Sequence, residues 1–376
     1  MPSKARLQPK SGSWEQVIAN SAYQTGLLRA FHSFSGRYEL AADGRRQGRL
    51  RRVRKAKYVV LGYHRVGTEG VPLYCTLAQE VFAKQMQYIA QYYRVLSVEQ
   101  MAAELRDPDA QGQGIVVTFD DGYLGTFTEA LPVLQKYNIP VTVYLTAGAI
   151  ESGEISWYDR IFLRFQRADS ELELTLGTPR TYRLNSYAAR LAAATEAITY
   201  LRSISDEERQ VWCREFERRI PLGTEEVRGA MMSWNQVRSM QRAGVSFGAH
   251  TMTHPVASRL RPEALTREVA DSKRLIEQRL GSQVEDFAFP FGKLGECDTG
   301  AAPMLGDLGF RTALTAIIGV NAPGADLFRL RRLLVSNDTS IAKFALRLHW
   351  LFFHPVDEEL ELQQSSPGSG LAQETK

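Results

Sequence analysis

From residue 58 onward the chain alternates short β-branched runs with amphipathic helical stretches, and this rhythm restricts the fold more than any other feature. "YVVLGY" (58–63) and "IVVTF" (115–119) are apolar almost throughout, as strands buried on both faces are. Helices are predicted over 78–93, from Val98 in "VEQMAAEL" and over about 124–137, followed by strand "VTVYLT" (141–146). Thr76 with Gln79 and Ser97 with Gln100 have the spacing of capping boxes at the first two helices. The alternation resumes with helix 234–242, strand "VSFGA" (245–249), helix 263–280 and strand "FAF" (287–289). "RTALTA" (311–316), "FRLRRLLV" (328–335) and a helix near 340–353 complete it. Repeated β-α units build a parallel sheet, open or closed.

The rhythm breaks between about 151 and 232. There "LELTLGTPRTYRL" reads as a hairpin, and 187–202 and 206–219 read as helices. With so few strands, this stretch is expected to be a long insertion in one βα connection. Residues 1–57 read as an appendage. In it "SWEQVIANSAYQTGLLRAFHSF" (13–34) is an amphipathic helix, and "RRQGRLRRVRKAK" (45–57) carries eight Lys or Arg and no acid. Such a segment either packs on the domain behind it or makes peripheral contact with an anionic membrane through 13–57. The expected domain spans 58–355, and 356–376 reads as a disordered tail.

Composition removes several function classes. Of 376 residues, 44% are hydrophobic and 23% charged, as in soluble globular proteins. A net charge of +4 demands no polyanionic partner, and the chain carries no recognised nucleic-acid reading module. Cys75, Cys213 and Cys297 are odd in number and far apart, which argues against a disulfide framework or a thiolate metal site. "MPSKARLQPKSGSW" lacks a secretory apolar core, and no apolar run approaches the ~20 residues that span a bilayer. The expected location is cytoplasmic, with membrane association through 13–57 left open.

Four groups of polar or turn residues fall at the C-terminal ends of strand candidates. They are His64 after "YVVLGY", Asp120 and Asp121 after "IVVTF", His250 and His254 after "VSFGA", and Pro290-Phe291-Gly292 after "FAF". Parallel α/β folds do their chemistry at that end. "AHTMTHP" spaces its histidines by four, which puts both rings on one side of a single helical turn. With an aspartate they form an imidazole–carboxylate ligand set with an open position. That set suits zinc, and chemically also cobalt, nickel or iron. One acid then binds the metal while the other stays free as a general base. The plain alternatives are a solvated Asp-Asp-Gly turn and histidines that bind nothing.

At these residues the sequence resembles the polysaccharide deacetylases, carbohydrate esterase family 4, with the NodB-homology domain. "TFDDGY" (118–123) is similar to the family's first motif and "HTMTH" (250–254) to its second. "FAFPFG" (287–292) resembles a variant of the third, and "YHRV" (63–66) a segment that precedes the domain's first helix. The resemblance covers about 58–338. It implies an α/β fold, a distorted (β/α) barrel that usually has seven strands. It also implies removal of acetyl groups from an N-acetylated sugar by metal-activated water. Carried over, Asp120 would be the general base. Asp121, His250 and His254 would hold a divalent metal, Zn2+ above the others. The Phe291 N–H, in the turn after Pro290, would help hold the oxyanion. Tyr123 and Trp157 are expected on the substrate side, with Tyr158 beside them in "SWYDRI" lining a sugar site or packing in the core.

Two positions depart from the pattern. The third motif usually carries an arginine, and Ala288 holds that place here. Arg331 or Arg332 is expected to replace it, and only one can point inward because side chains alternate along a strand. The family's Leu-x-His motif is missing, and His349 in "RLHW" is a poor match for it. His64 is therefore expected to act as acid or substrate contact. The leading function is a metal-dependent deacetylase acting on an N-acetylated glycan or glycolipid precursor. The alternatives are a deformylase or O-acetyl esterase on the same scaffold, or an inactive carbohydrate-binding protein.

Overall fold

The structure is a computed structural model that describes residues 56–353, except 68–75, 298–299 and 337–339. The predicted helix 13–34, most of the basic block and the tail lie outside the described residues. The described strands are β1 (Lys57–Tyr63), β2 (Arg65–Gly67), β3 (Thr76–Ala78), β4 (Arg94–Leu96), β5 (Gln113–Phe119), β6 (Val141–Leu145), β7 (Glu171–Leu176), β8 (Thr178–Arg183), β9 (Ser246–Ala249), β10 (Asp286–Ala288), β11 (Thr312–Leu314) and β12 (Arg332–Leu334).

Seven strands run in the order β11-β10-β9-β6-β5-β1-β12, and every pairing is parallel. β4 joins from the side, alongside the first half of β5. The two ends of the path nearly meet. Leu314 on β11 bridges Leu330 in parallel, and the Thr315 N–H donates to the Leu330 carbonyl at 2.8 Å. The result is a distorted barrel of the kind expected.

Strand alternation explains how the barrel fills. Tyr58, Val60, Val116, Tyr144, Ala288 and Leu314 come from five of the seven barrel strands and meet Leu96 of β4 and Leu330 in one small buried cluster. Only the inside of a closing sheet lets them meet. Their neighbours Val59, Leu61, Tyr63, Val117 and Phe119 face the other way, into the larger core beneath the helices. Both faces of β1 and β5 are therefore dry, which is why their sequences show no polar alternation.

Ser97 caps the helix Val98–Leu105 with a full capping box to Gln100. The box expected from Thr76 and Gln79 does not form. Thr76 is in β3, paired with β2, and Ala78 is the N-cap of helix Gln79–Tyr92. The chain after the Asp-Asp pair is a π-helix, Thr126–Ala130, leading into helix Leu131–Lys136. Between β6 and β9 lie helices Ala147–Ser152 and Trp157–Arg167, the antiparallel hairpin β7–β8, and helices Tyr187–Ser203, Asp206–Arg219 and Thr224–Val227. Phe165, Tyr182, Leu201 and Phe216 of this stretch are buried in the same core as the barrel's outer residues.

Candidate metal centre and active site

The loops that follow β1, β5, β9 and β10 converge on one buried site. Asp120 extends the β1–β5 ladder, its N–H donating to the Tyr63 carbonyl at 2.8 Å. Asp121 then turns away in the left-handed region, at φ 70°, so the two carboxylates face different partners. His250 likewise adds one bond to the β6–β9 pairing, its N–H donating to the Leu145 carbonyl at 2.9 Å. Among the described residues five non-glycines have positive φ, and four of them are here: Asp121, Thr251, His254 and Phe291. Such backbone costs about 1–3 kcal/mol per residue and persists only where the surroundings impose it.

The surroundings do so at the "HTMTH" loop. The N–H groups of Ala147 and Gly148 donate to the carbonyls of Thr251 and Met252, each at 3.0 Å. A Cβ on Gly148 would lie 2.5 Å from the Met252 carbonyl oxygen, so this approach requires glycine. From the other side Glu268 accepts from the N–H groups of Met252 and Thr253 and from the Thr253 hydroxyl, each at 2.9 Å. The Thr251 hydroxyl accepts from the His254 N–H at 3.1 Å.

Asp121, His250 and His254 are all buried, and one ligand atom from each lies within 4.8 Å of the others. Asp121 Oδ1 is 3.3 Å from His254 Nε2 and 3.8 Å from His250 Nε2. His250 Nδ1 is 2.7 Å from the Ala288 carbonyl. A carbonyl only accepts, so the ring proton sits on Nδ1 and the Nε2 lone pair faces Asp121. Burial lowers the pKa of His250 and lowers that of His254 further, so both rings stay neutral. Burial also pushes the Asp121 carboxyl up to about 6. The His250 lone pair and the Asp121 carboxylate point at one spot beside a second neutral imidazole, and they repel each other unless a cation joins them. The donor set therefore fits a divalent metal.

Asp120 has a different environment. Its burial would raise its pKa, but the Arg332 guanidinium, then His250 and His64, hold it below the usual carboxylate range. Arg332 Nη1 donates to Asp120 Oδ1 at 2.7 Å, and Arg332 Nε donates to the Thr315 carbonyl at 2.7 Å. Arg332 is aligned with Val60 across β1 and β12, and Val60 is an interior residue, so Arg332 faces the barrel interior. Arg331 faces outward, where its guanidinium donates to the Ile318 carbonyl, so the structure does not bring it to the site. His64 Nε2 lies 3.9 Å from Asp120 Oδ2, with 27% of its side chain exposed. His349 is in helix Ile341–Phe353, stacked on Phe353.

Of the remaining expected residues, Phe291 and Trp157 contact His254, and Tyr123 stands behind Tyr158. The Phe291 ring is 4.7 Å from the His254 ring, and the Phe291 backbone is left-handed at φ 58°. The turn at Pro290 is closed by the Gly292 N–H donating to the Pro290 carbonyl at 2.6 Å. Trp157 is buried, and its indole N–H donates to the His254 carbonyl at 2.9 Å. Tyr123 is buried and bonds to Tyr158 and Asp159. Sequence reasoning missed Thr146, whose hydroxyl donates to Asp121 Oδ1 at 3.3 Å, although its place at the end of "VTVYLT" was a usable signal. It also missed Glu268 and Asp159, which sit inside helices with no local mark.

The polysaccharide deacetylase family model matches residues 107–313. YxkH of Bacillus subtilis (strain 168), a curated protein named after that family, is 20% identical over 291 residues, 77% of this chain and 75% of its own. The Streptococcus pyogenes deacetylase PplD in complex with acetate matches at TM-score 0.54 and 18% identity, over 80% of this chain and 100% of that one. IcaB from Ammonifex degensii matches at TM-score 0.51 and 22% identity, over 77% of this chain and 97% of that one. At these identities the solved structures speak for the fold.

Proposed function

This chain belongs to the polysaccharide deacetylase family, a premise from which we propose that it removes acetyl groups from an N-acetylated glycan or glycolipid precursor. The observation that carries the reading is the division of two adjacent acids: Asp120 bound to Arg332, and Asp121 facing two neutral imidazoles. A divalent metal held by Asp121, His250 and His254, with Zn2+ the ion best suited to that set, supplies Lewis acidity toward water and the amide carbonyl. Asp120 is the general base, kept ionised by Arg332 and ready to take a proton from the attacking water. His64, on the open side of Asp120, gives a proton to the departing amine or contacts the sugar. The Phe291 N–H, offered by the turn after Pro290, steadies the developing oxyanion, and Tyr123 backs Tyr158 beside Asp121.

The test joins metal analysis to acetate release from a panel of N-acetylated glycans. One divalent ion per chain and metal-dependent acetate release are expected; formate release instead would turn the reading to a deformylase. Asp120→Asn is expected to keep the metal and lose 10²–10⁴-fold in turnover. An Asn variant with near-normal turnover would remove Asp120 from the mechanism. We also assign residues 13–57 to peripheral contact with anionic membrane, because eight Lys or Arg at 45–57 follow a stretch, 13–34, whose sequence predicts an amphipathic helix. Among the described residues no helix is long and apolar enough to cross a membrane. Equal pelleting with anionic vesicles by a chain starting at Lys57 would sink that assignment.

A further inference from the structure

Trp157, Tyr158 and Asp159, the first turn of helix Trp157–Arg167, lie in the stretch between β6 and β9, outside every motif that carries the family resemblance. The first two residues each reach a different member of the candidate ligand set. Trp157 donates its indole N–H to the His254 carbonyl at 2.9 Å. Tyr158 donates its hydroxyl to Asp121 Oδ2 at 3.0 Å. The third residue backs the second, since Tyr123 bonds to Asp159 and lies 3.1 Å from the Tyr158 hydroxyl.

This contact decides how Asp121 presents itself. With Oδ2 occupied by Tyr158, Oδ1 is the oxygen left facing both histidine Nε2 atoms. The turn also stands in where a ring partner is lacking. His250 has the Ala288 carbonyl on its second nitrogen, whereas His254 Nδ1 is buried with no hydrogen-bond partner among the described residues. His254 is held instead by its backbone, through Trp157, and by ring packing on Tyr158 at 4.9 Å and Phe291 at 4.7 Å. We propose that Trp157 and Tyr158 are positioning residues for the metal centre, with Tyr158 fixing Asp121 as a one-oxygen ligand through the chain Asp159–Tyr123–Tyr158–Asp121.

Tyr123 donates its hydroxyl to Asp159 and Tyr158 donates to Asp121, so two hydroxyls 3.1 Å apart are each fixed on a buried carboxylate.

The inference rests on the metal reading of the site, and the experiment separates the two. The affinity of the full-length chain for Zn2+ is measured by competition with a chromophoric chelator, alongside the melting temperature of the metal-free protein. Tyr158→Phe removes one hydroxyl and is expected to weaken Zn2+ binding 10–100-fold while the metal-free melting temperature stays put. Asp159→Asn, whose amide oxygen can still accept from the Tyr123 hydroxyl, is expected to bind Zn2+ nearly as the wild type does. Tyr182→Phe, a hydroxyl lost at Glu196 far from the site, is the control and should bind normally. If Tyr158→Phe does not fold, Trp157→Phe takes its place, with the same expected weakening through His254. Wild-type affinity in the folded variant overturns the positioning role alone. A wild-type chain that binds no Zn2+ overturns this inference together with the metal reading beneath it.

Discussion

The two halves of the site are held by different parts of the chain. Asp120 is held by the barrel: Arg332 comes from β12, and its Nε is anchored on the Thr315 carbonyl just past β11. Asp121 and His254 are held by the stretch between β6 and β9, through Tyr158, Trp157 and Thr146. The first half is a buried ion pair and the second a set of neutral donors. Their titration differs accordingly, since Asp120 is driven below the ordinary carboxylate range and Asp159 above it. A buried charge needs a partner fixed on rigid strands, because a small displacement exposes the full desolvation penalty. A neutral bond carries no such penalty, so helices outside the barrel can supply it.

The largest effect is expected from Arg332→Met, which leaves Asp120 buried and unpaired. Breaking one side of a buried pair costs about 3–5 kcal/mol, which a urea titration would read. In variants that stay folded the Asp120 pKa rises, so the acid limb of the activity profile moves to higher pH. A variant with unchanged stability and pH profile would show that Asp120 does not depend on β12. On the other half, Gly148→Ala would place a Cβ against the Met252 carbonyl oxygen. Overpacking there should cost about 1–3 kcal/mol and loosen metal binding, since it pushes the "HTMTH" loop away. Normal metal affinity in that variant would break the link between the Ala147–Ser152 helix and the ligands.

Asp159→Asn sharpens the comparison through pH. A carboxyl near 3.9 when unfolded and about 7 when folded contributes stability present below pH ~4 and lost as pH rises toward 7. The Asn variant lacks that loss, so its stability relative to wild type should increase across this window. The Asp120–Arg332 pair has the opposite sign. Its contribution is complete above pH ~4 and is lost only as pH falls through the lowered folded value. A stability difference that is flat from pH 4 to 7 would deny Asp159 its raised pKa. The smallest effect is expected from Arg331→Met, within about 0.5 kcal/mol, because that side chain lies on the outside. A loss of activity as large as that of Arg332→Met would mean that the inward and outward faces of β12 have been confused.

Much of the barrel was legible because its strands are buried on both faces and so appear as unbroken apolar runs. β4 was not. Three residues, "RVL", carry too little pattern, and they pair only along the first half of β5. The Thr76–Gln79 box failed because Thr76 was taken into β3, a pairing that local spacing cannot anticipate.

By itself the sequence determined which residues end the parallel strands, and therefore that Asp120, Asp121, His250, His254 and Phe291 lie at one rim. Polar residues that follow an apolar strand emerge at its C-terminal end whatever the rest of the chain does. Alternation along "LRRLLV" also established that Arg331 and Arg332 face opposite ways. Which of them faces inward was decided only by register, when Arg332 came level with interior Val60 across the closing edge of the barrel. Tyr158 and Trp157 became partners of Asp121 and His254 only in three dimensions. Their contacts span 37 and 97 residues, and a hydrogen bond over that separation leaves no periodic trace for sequence reading to find.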